Sequence, residues 1–346
     1  MSIVIEHGGI VLPSVAVDAY NAELRDSEGF TGDRASNRAF RSLVDEVRQH
    51  LAETGWDPLG EKPSADMKKS EMDRTLAQGS PVEAGVMLAA IEAFAGEFAS
   101  VIRRFLKLKD WRDTQRIVVG GGLRGSRIGE LAIGRTEVML RADGVPIELV
   151  PIRHHPDEAG LLGGAHLCPS WIFRGHNGIL ALDIGGTNAR AGLVALNLKR
   201  AGDLSKSEVV ENELWRHRDE KPGREAAVER ITAMVQGLIK LARKRQINLA
   251  PFIAVGCPGL IRADGVIERG GQNLPGNWQA EGFNLPDRLR EAIPRIGDHE
   301  THVAMHNDAV VQGLSEAPFM QDVERWGVMT IGTGLGNARF TNRREA

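Results

Sequence analysis

The 346 residues of this chain exceed what one hydrophobic core usually supports, so the sequence predicts two domains of similar size. Hydrophobic residues make up 42% and charged residues 26% of the chain, a balance typical of a globular protein with well-formed cores. The net charge is -3 with both signs well mixed, which argues against nucleic acid or an anionic membrane as a partner.

The predicted elements begin with a β-hairpin over residues 3–12, followed by a helix over 36–53. The stretch 55–80 is rich in Lys, Asp, Pro and Ser, and it is predicted to be a surface excursion. Ser80, which is followed by a proline, is the expected N-cap of a helix that extends to about residue 106.

Apolar strands and helices alternate along the rest of the chain, and this alternation predicts an α/β architecture. The strands are placed at 117–119, 147–152, 178–184, 252–256, 302–306 and 327–332. The helices are placed at 127–140, 224–245, 285–292 and 309–316.

The two cysteines, Cys168 and Cys257, are too few for a disulfide framework or a closed zinc site, and they favour a reducing compartment. The first residues contain no basic stretch followed by an apolar one, and the sequence has no run of ~18 apolar residues. These features together predict a cytoplasmic protein.

Four glycine-containing turns each follow an apolar strand directly. They occupy residues 120–122, 183–187, 256–259 and 331–334. Alone, each is more simply an ordinary tight turn. Together they predict a nucleotide cradle, because such turns expose backbone N–H groups to anions at strand ends. In the second turn, Gly185 and Gly186 allow close approach to a phosphate, Thr187 adds a hydroxyl, and Asp183 can hold a cation.

A short apolar strand ends at Asn307 and Asp308, where a helix is predicted to begin. A carboxylate in this position can act as a general base toward a hydroxyl that attacks phosphorus, while the amide orients the substrate. Capping of the helix by Asn or Asp explains the same pattern equally well. The segment 272–278 combines amide donors with a tryptophan and a rigid turn, which suits a polyhydroxyl ligand; a turn with its tryptophan packed in the core is the alternative.

These motifs together resemble the sugar kinases of the ROK family and the related bacterial glucokinases. The resemblance rests on DIGGTNARAGLV at 183–194, GCPGLI at 256–261, QNLPGNW at 272–278, HNDA at 306–309 and IGTGLG at 331–336. IVVGGGLRG at 117–125 and DEAGLLGGAH at 157–166 are similar to the family's adenosine-side turn and closing helix. Those two belong to the C-terminal half of the family, yet here they precede DIGGT, so the chain resembles a circularly permuted member.

The resemblance implies an α/β fold of two actin-like (ribonuclease H-like) domains around a cleft, with ATP and Mg²⁺ on one side and a sugar on the other. The larger, C-terminal-type domain is expected over 1–166 plus 321–346, and the N-terminal-type domain over 167–320. The strand 337–342 and the hairpin 3–12 are expected to be successive strands of one sheet, which would bring the two ends of the permuted order together.

The resemblance also assigns roles to individual residues. Asp308 would be the catalytic base, and Asp183 would position Mg²⁺, mainly through water. Contacts to the phosphates are expected from Gly185, Gly186, Thr187, Asn188, Gly332, Thr333 and Gly334. Contacts to the adenosine are expected from Gly121 and Gly122, and contacts to the sugar from Asn273, Gly276 and Asn307.

Two departures from the family pattern affect the expected site. The cysteine-rich zinc loop of many members is absent, so no structural zinc is expected. The Gly-Glu-x-Gly-His element of the sugar site is replaced by residues 27–33, in which Glu28 is the candidate substitute for the family's glutamate and no histidine follows. This change leaves the identity of the sugar open.

The sequence thus predicts an ATP-dependent hexose kinase whose small-molecule partners are a sugar and ATP. The oligomeric state is left open, with a homodimer as the candidate. Glucose is favoured because NLPGNW resembles the glucokinases most. Three alternatives remain: a catalytically silent sugar-sensing regulator, a kinase for another sugar such as an N-acetylated hexosamine, and an acyl or acetate kinase of the same superfold.

Overall fold

The structure is a computed structural model that describes residues 6–27 and 29–343. Its α-helices are α1 (Asn37–Ala52), α2 (Lys69–Gln78), α3 (Pro81–Leu106), α4 (Arg127–Ala142), α5 (Pro156–Gly163), α6 (His217–Glu220), α7 (Arg224–Lys244), α8 (Leu285–Ala292) and α9 (Asp308–Leu314). Its strands are β1 (Val15–Tyr20), β2 (Arg25–Asp26), β3 (Gly29–Phe30), β4 (Arg116–Gly120), β5 (Glu148–Pro151), β6 (Gly178–Ile184), β7 (Ala189–Ala195), β8 (Glu208–Trp215), β9 (Leu249–Cys257), β10 (Leu260–Ile261), β11 (Ile267–Arg269), β12 (Arg295–Ile296), β13 (His299–Glu300), β14 (His302–Asn307), β15 (Arg325–Ile331) and β16 (Leu335–Asn342).

One sheet of the described chain is built around β6, with the strand order β14-β9-β6-β7-β8. β6 pairs antiparallel with β7, and β7 with β8, so these three strands form a meander. β9 pairs parallel with β6, and β14 parallel with β9, because the chain crosses over through helices before each of them. Every residue of β6 is buried, as its continuous apolar run predicts.

A second sheet has the strand order β1-β16-β15-β4-β5. β4 pairs parallel with β15 and with β5, whereas β1 pairs antiparallel with β16. The strands of each sheet can be numbered from its central strand, as β6, β7, β8, β9, β14 in the first sheet and as β15, β16, β1, β4, β5 in the second. Numbered in this way, both sheets have the strand order 3-2-1-4-5. The repeated order confirms the predicted α/β fold of two actin-like (ribonuclease H-like) halves with a circularly permuted arrangement of elements.

The chain divides into two compact units. The first contains the described residues up to Asn21, then Asp157–Glu324, then the described residues from Ala338 onward. The second contains Ala22–Pro156 and Arg325–Asn337. The apolar core of the first unit forms between the β6 sheet and helices α7 and α8, with Trp278 among its buried side chains.

Helix α3 is the main apolar helix of the second unit. It begins as predicted, with Ser80 as N-cap and Glu83 completing a capping box. By length and composition alone it could cross a membrane, but 56% of the relevant window is buried inside the fold. Phe94, Phe98 and Phe105 are fully buried, which identifies α3 as a core helix of this unit.

The predicted N-terminal hairpin is wrong for the part that the structure describes. Residues 3–5 lie outside the described residues, and residues 10–12 form only an isolated bridge, between Val11 and Ala16. The strand that pairs with β16 is β1, which begins after Pro13. The segment before it is held instead by β14, since the Gly8 N–H donates to the Met305 carbonyl at 2.9 Å.

Several other elements were not predicted, and α2, β7 and β8 are the largest of them. α2 lies inside the stretch expected to be a surface excursion, where the Glu71 carboxylate accepts a bond from the Lys68 N–H and so caps the helix. β7 and β8 extend the β6 sheet over a region to which no strand was assigned. β8 is mostly exposed and polar, so it lacks the apolar run that marks the buried strands.

Candidate active site

Asp183 is the last residue but one of β6 and is 6% exposed. Burial raises the pKa of its carboxyl to about 6, because a charged carboxylate loses hydration there. The cationic Arg190 lowers this pKa, while the carboxylate of Asp157 raises it further. β6 therefore delivers to its carboxyl end a carboxylate whose charge is poorly compensated by the protein.

Asp308 is the first residue of α9 and follows β14 directly. Burial raises the pKa of its carboxyl to about 7, and the negative charge of Asp183 raises it further. The Ala309 N–H opposes this by donating to Oδ1 at 3.0 Å. Its pKa thus lies near neutrality, where a general base is effective.

The register of the sheet explains why these two carboxylates influence each other. Asp183 of β6 and His306 of β14 are both aligned with Gly256 of the intervening strand β9. The three parallel strands therefore end at the same level. Cys257, the last residue of β9, is buried, and its thiol pKa is raised first by burial and then by the charges of Asp308 and Asp183.

Asn307 acts as the N-cap of α9. Its Oδ1 accepts from the N–H groups of Ala309 at 3.0 Å and Val310 at 3.4 Å, and its Nδ2 donates to the Gly259 carbonyl at 3.0 Å. Both ends of the amide are used within the protein, which matches the capping alternative for this residue. Its predicted contact with a sugar stays a prediction.

The glycine turn after β6 is closed by the Gly185 N–H, which donates to the Asn188 carbonyl at 2.8 Å. Outside the turn, His217 Nε2 bonds to the Gly185 carbonyl at 2.8 Å, and the Arg218 N–H donates to the Thr187 carbonyl at 3.2 Å. The predicted phosphate-binding residues after β6 are therefore held in a fixed turn beside Asp183.

The 272–278 segment approaches this turn at Gly186. A Cβ on Gly186 would lie only 2.9 Å from the Cβ of Asn273, so glycine is required for this approach. Gly276 adopts a φ of +78° and lies against Arg224 at the start of α7. Trp278 is buried, and its Nε1 donates to the Pro275 carbonyl at 2.7 Å, as the core-packing alternative expects.

Helix α5 covers Asp183, and its residues were not among the predicted site residues. A Cβ on Gly160 would lie 2.6 Å from Cγ of Asp183. In the same helix, Asp157 accepts a hydrogen bond from the Arg190 guanidinium. Glycine spacing within DEAGLLGGAH was the available signal that this helix packs closely, but the sequence does not reveal its partner.

In the second unit, the turns after β4 and β15 lie side by side. Gly121 has a φ of +84°, and a Cβ there would lie 2.3 Å from the Ile331 carbonyl oxygen. The Gly332 N–H donates to the Gly334 carbonyl at 2.9 Å, which leaves Thr333 exposed at the tip. The structure thus brings Gly121 and Gly122 together with the 332–334 turn, as their strands' parallel pairing requires.

The predicted sugar-site residue Glu28 lies outside the described residues. Of the other candidates, Asp183, Asp308, the 185–188 turn and Asn273 belong to the first unit, and the two glycine turns of the preceding paragraph belong to the second.

The carboxylates at the end of the β6 sheet fit a hydrated divalent cation. Within the described residues, no group of three or more His, Cys, Asp or Glu side chains is arranged to hold a metal ion. Mg²⁺ does not need such a group, since it usually keeps several waters and binds through one or two carboxylates plus substrate phosphates. Asp183 supplies one such carboxylate, and a cation would relieve the charge penalty described above.

No family model and no curated protein matches the chain. Among solved structures, an exopolyphosphatase from Cytophaga hutchinsonii ATCC 33406 is similar, with 16% sequence identity and a TM-score of 0.26 over 49% of this chain and 51% of that one. This chain thus matches about half the length of that protein. The fold assignment rests on the strand orders described above.

Proposed function

We propose that this protein is an ATP-dependent sugar kinase, which transfers the γ-phosphoryl group of ATP to a hydroxyl of a hexose. The observation that carries the proposal is the pair formed by Asp308 and Asp183 at the aligned ends of β14 and β6. Asp183 is buried and Asp308 is partly buried, and the pKa of each carboxyl is raised. Buried carboxyls with such pKa values are common where proton transfer is catalysed.

Asp308 is the general base in this proposal. It accepts the proton of the sugar hydroxyl as the oxygen bonds to the γ-phosphorus and the bond to the β-phosphate oxygen breaks. Asn307 holds the start of α9, and hence the Asp308 backbone, through two cap bonds and one bond to the Gly259 carbonyl. Residues 186–188 of the glycine turn would meet the phosphates through their backbone, since the Gly185 N–H closes the turn on the Asn188 carbonyl.

Asp183 is the residue that would hold Mg²⁺, mainly through water. When bound, Mg²⁺ neutralises charge on the phosphates, which is a large part of phosphoryl-transfer catalysis. Gly160 of α5 keeps the Asp183 carboxylate in place by packing against it, so the position of this anion is set by the fold rather than by the ligand.

The sugar is the least constrained part of the proposal. Glucose is the first candidate, because the NLPGNW segment resembles that of the glucokinases. Asn273 approaches the phosphate turn at Gly186, a position from which its amide could meet an acceptor hydroxyl. Gly276, Asn307 and Glu28 are the other proposed sugar-site residues.

A coupled ADP assay with a panel of hexoses, N-acetylated amino sugars and short carboxylic acids tests the proposal. We expect turnover that needs Mg²⁺, ATP and a hexose, with the highest kcat/KM on glucose. Turnover on an amino sugar or a carboxylic acid, and not on glucose, would identify that compound as the acceptor. If the sugars bind but none is phosphorylated, the protein is a sugar-sensing regulator and the kinase proposal is wrong.

A further inference from the structure

Helix α2 lies in the part of the chain that the kinase motifs match least, and it is firmly anchored in the second unit. The Asp73 carboxylate accepts from the Arg127 N–H at 3.2 Å and from the Ile128 N–H at 3.0 Å, at the start of α4. Just before α2, the Met67 carbonyl accepts from Arg41 of α1 at 2.9 Å. These bonds fix where the first residue of the helix projects.

That first residue, Lys69, lies at the glycine turn after β4. Its Nζ donates to the Gly122 carbonyl at 2.5 Å, and a Cβ on Gly122 would lie 2.8 Å from Nζ. The same Cβ would lie 3.5 Å from Nδ2 of Asn37. The backbone N–H of Asn37 in turn donates to the Gly332 carbonyl at 3.0 Å. One ammonium and one amide therefore lie where the two glycine turns of this unit meet.

The chemistry at this point suits a phosphate chain. Glycine turns at strand ends offer backbone N–H groups to anions, and an ammonium adds a full positive charge beside them. Because the Lys69 Nζ is already bonded to the Gly122 carbonyl, its side chain loses little entropy on meeting such a ligand.

We propose that Lys69 binds the phosphate chain of the nucleotide donor, so that α2 supplies the donor side of the site with a cation. This inference rests on the proposed kinase function, because it takes ATP as the donor. It assigns to the 53–80 segment a role that the sequence motifs do not indicate.

The test compares Lys69→Met with Lys69→Arg and with Lys68→Met, the last being an exposed neighbour outside the turn. Binding of ATP, of adenosine and of inorganic triphosphate is measured directly by calorimetry. We expect Lys69→Met to weaken ATP and triphosphate about tenfold, which corresponds to about 1.4 kcal/mol. Adenosine should bind unchanged. Lys69→Arg should restore most of the ATP affinity, and Lys68→Met should behave as the wild type.

The outcomes separate this inference from the proposed function. If the wild type binds none of the three ligands, ATP is not its phosphoryl donor and the kinase proposal is wrong. If the wild type binds ATP and Lys69→Met binds it equally well, only the role of Lys69 is overturned. Equal loss of adenosine and ATP affinity would show that Lys69 supports the turn without contacting phosphate, and this too would overturn the inference.

Discussion

The two sheets share one strand order but present different chemistry at the ends of their parallel strands. The β6 sheet ends in the buried Asp183 and the partly buried Asp308, two carboxyls whose pKa values are raised. The turns after β4 and β15, residues 120–122 and 331–334, contain glycines and no titratable side chain, and one ammonium beside them, that of Lys69, comes from α2. The same topology therefore supports one end suited to proton transfer and another suited to anion binding.

The difference arises from the group on which a neighbouring glycine packs at each strand end. In the β6 sheet, Gly160 of α5 packs directly on Asp183, which removes water and raises the cost of its charge. In the second unit, Gly121 packs on the backbone of Ile331, which brings two turns together without burying a charge. A glycine at a close approach thus raises the cost of a charge where it faces a carboxylate, and brings two turns together without that cost where it faces a peptide group.

The largest expected effect is on Asp308. Replacement by Asn keeps the size of the side chain but removes the base, so we expect kcat to fall by about 10³. ATP binding should remain within about twofold, because Asp308 makes no attractive contact with the phosphates in this mechanism. Its replacement by Asn removes only a repulsion between like charges. Steady-state kinetics together with calorimetry of ATP binding measure both.

Asp298→Asn is the matched control for this substitution, since Asp298 is an exposed carboxylate of the same unit. It should leave kcat unchanged. Wild-type turnover in Asp308→Asn would remove the base from the mechanism and with it the contrast between the two sheet ends.

A smaller loss is expected when the contact between α5 and Asp183 is disturbed. Gly160→Ala places a methyl 2.6 Å from the present position of Cγ, so the carboxylate must move. Misplacement by about 1 Å can cost on the order of 10² in rate, and we expect a loss of that size, with a raised Mg²⁺ requirement. Mg²⁺ titrations of turnover measure it.

Gly237→Ala in α7 is the control, because a Cβ there meets open space. It should keep full activity and stabilise the fold by about 0.5–1 kcal/mol through helix propensity. If Gly160→Ala were equally active, Asp183 would not need its present position.

The sequence predicts the fold well because its main signals are local. Buried strands such as β6 are continuous apolar runs that stop at a glycine, and α3 begins with a Ser-Pro-x-Glu cap. The elements it misses lack those signals. α2 is mostly polar, with Met72 its single buried residue in the described structure, and its position depends on bonds from Asp73 to the start of α4.

The candidate site is less predictable than the fold, since it depends on contacts between distant parts of the chain. Asp183 and Asp308 can be proposed from their motifs. The neighbours that shift the pKa of Asp183, Arg190 and Asp157, cannot be identified without the register of β6 and the path of α5. The predicted hairpin has its turn at His7 and Gly8, and the sequence does not reveal that this segment is bonded to β14, almost 300 residues later in the chain.

The raised pKa values also predict how stability depends on pH. A carboxyl whose pKa is higher in the folded than in the unfolded chain binds its proton more tightly when folded, so stability falls as pH rises from about 4 to about 7. In Asp308→Asn this component is absent. At pH 8 we expect the variant to be more stable than the wild type by on the order of 1–3 kcal/mol, and equal to it near pH 4.

Urea unfolding at each pH measures the difference between the two proteins, which cancels the contributions of unrelated groups. Asp298→Asn should follow the wild type throughout. A pH-independent difference in stability between wild type and Asp308→Asn would mean that the pKa of the Asp308 carboxyl is not raised in the folded state.

The acid limb of wild-type kcat/KM, expected near pH 7, should move to lower pH in Asp183→Asn, because the negative charge that raises the pKa of Asp308 is removed.

The smallest expected effect concerns His306, which positions the start of α9. Its Nδ1 accepts from the Asn307 N–H at 2.7 Å, and its Nε2 bonds to the Gly9 carbonyl at 3.1 Å as the donor. The ring also packs edge-on against Tyr20, with centroids 5.0 Å apart. Burial lowers the pKa of the imidazole to about 4, so the ring is neutral wherever Asp308 is ionised.

We therefore expect His306→Phe, which keeps the packing but loses both bonds, to lower kcat about threefold to tenfold with little change in either KM. His306→Gln, which can donate and accept, should recover part of the loss. The acid limb near pH 7 should stay in place in both variants, because the limb belongs to Asp308. A shift of that limb would show that His306 itself takes part in proton transfer, and the proton-transfer end of the β6 sheet would then be a carboxylate–imidazole pair.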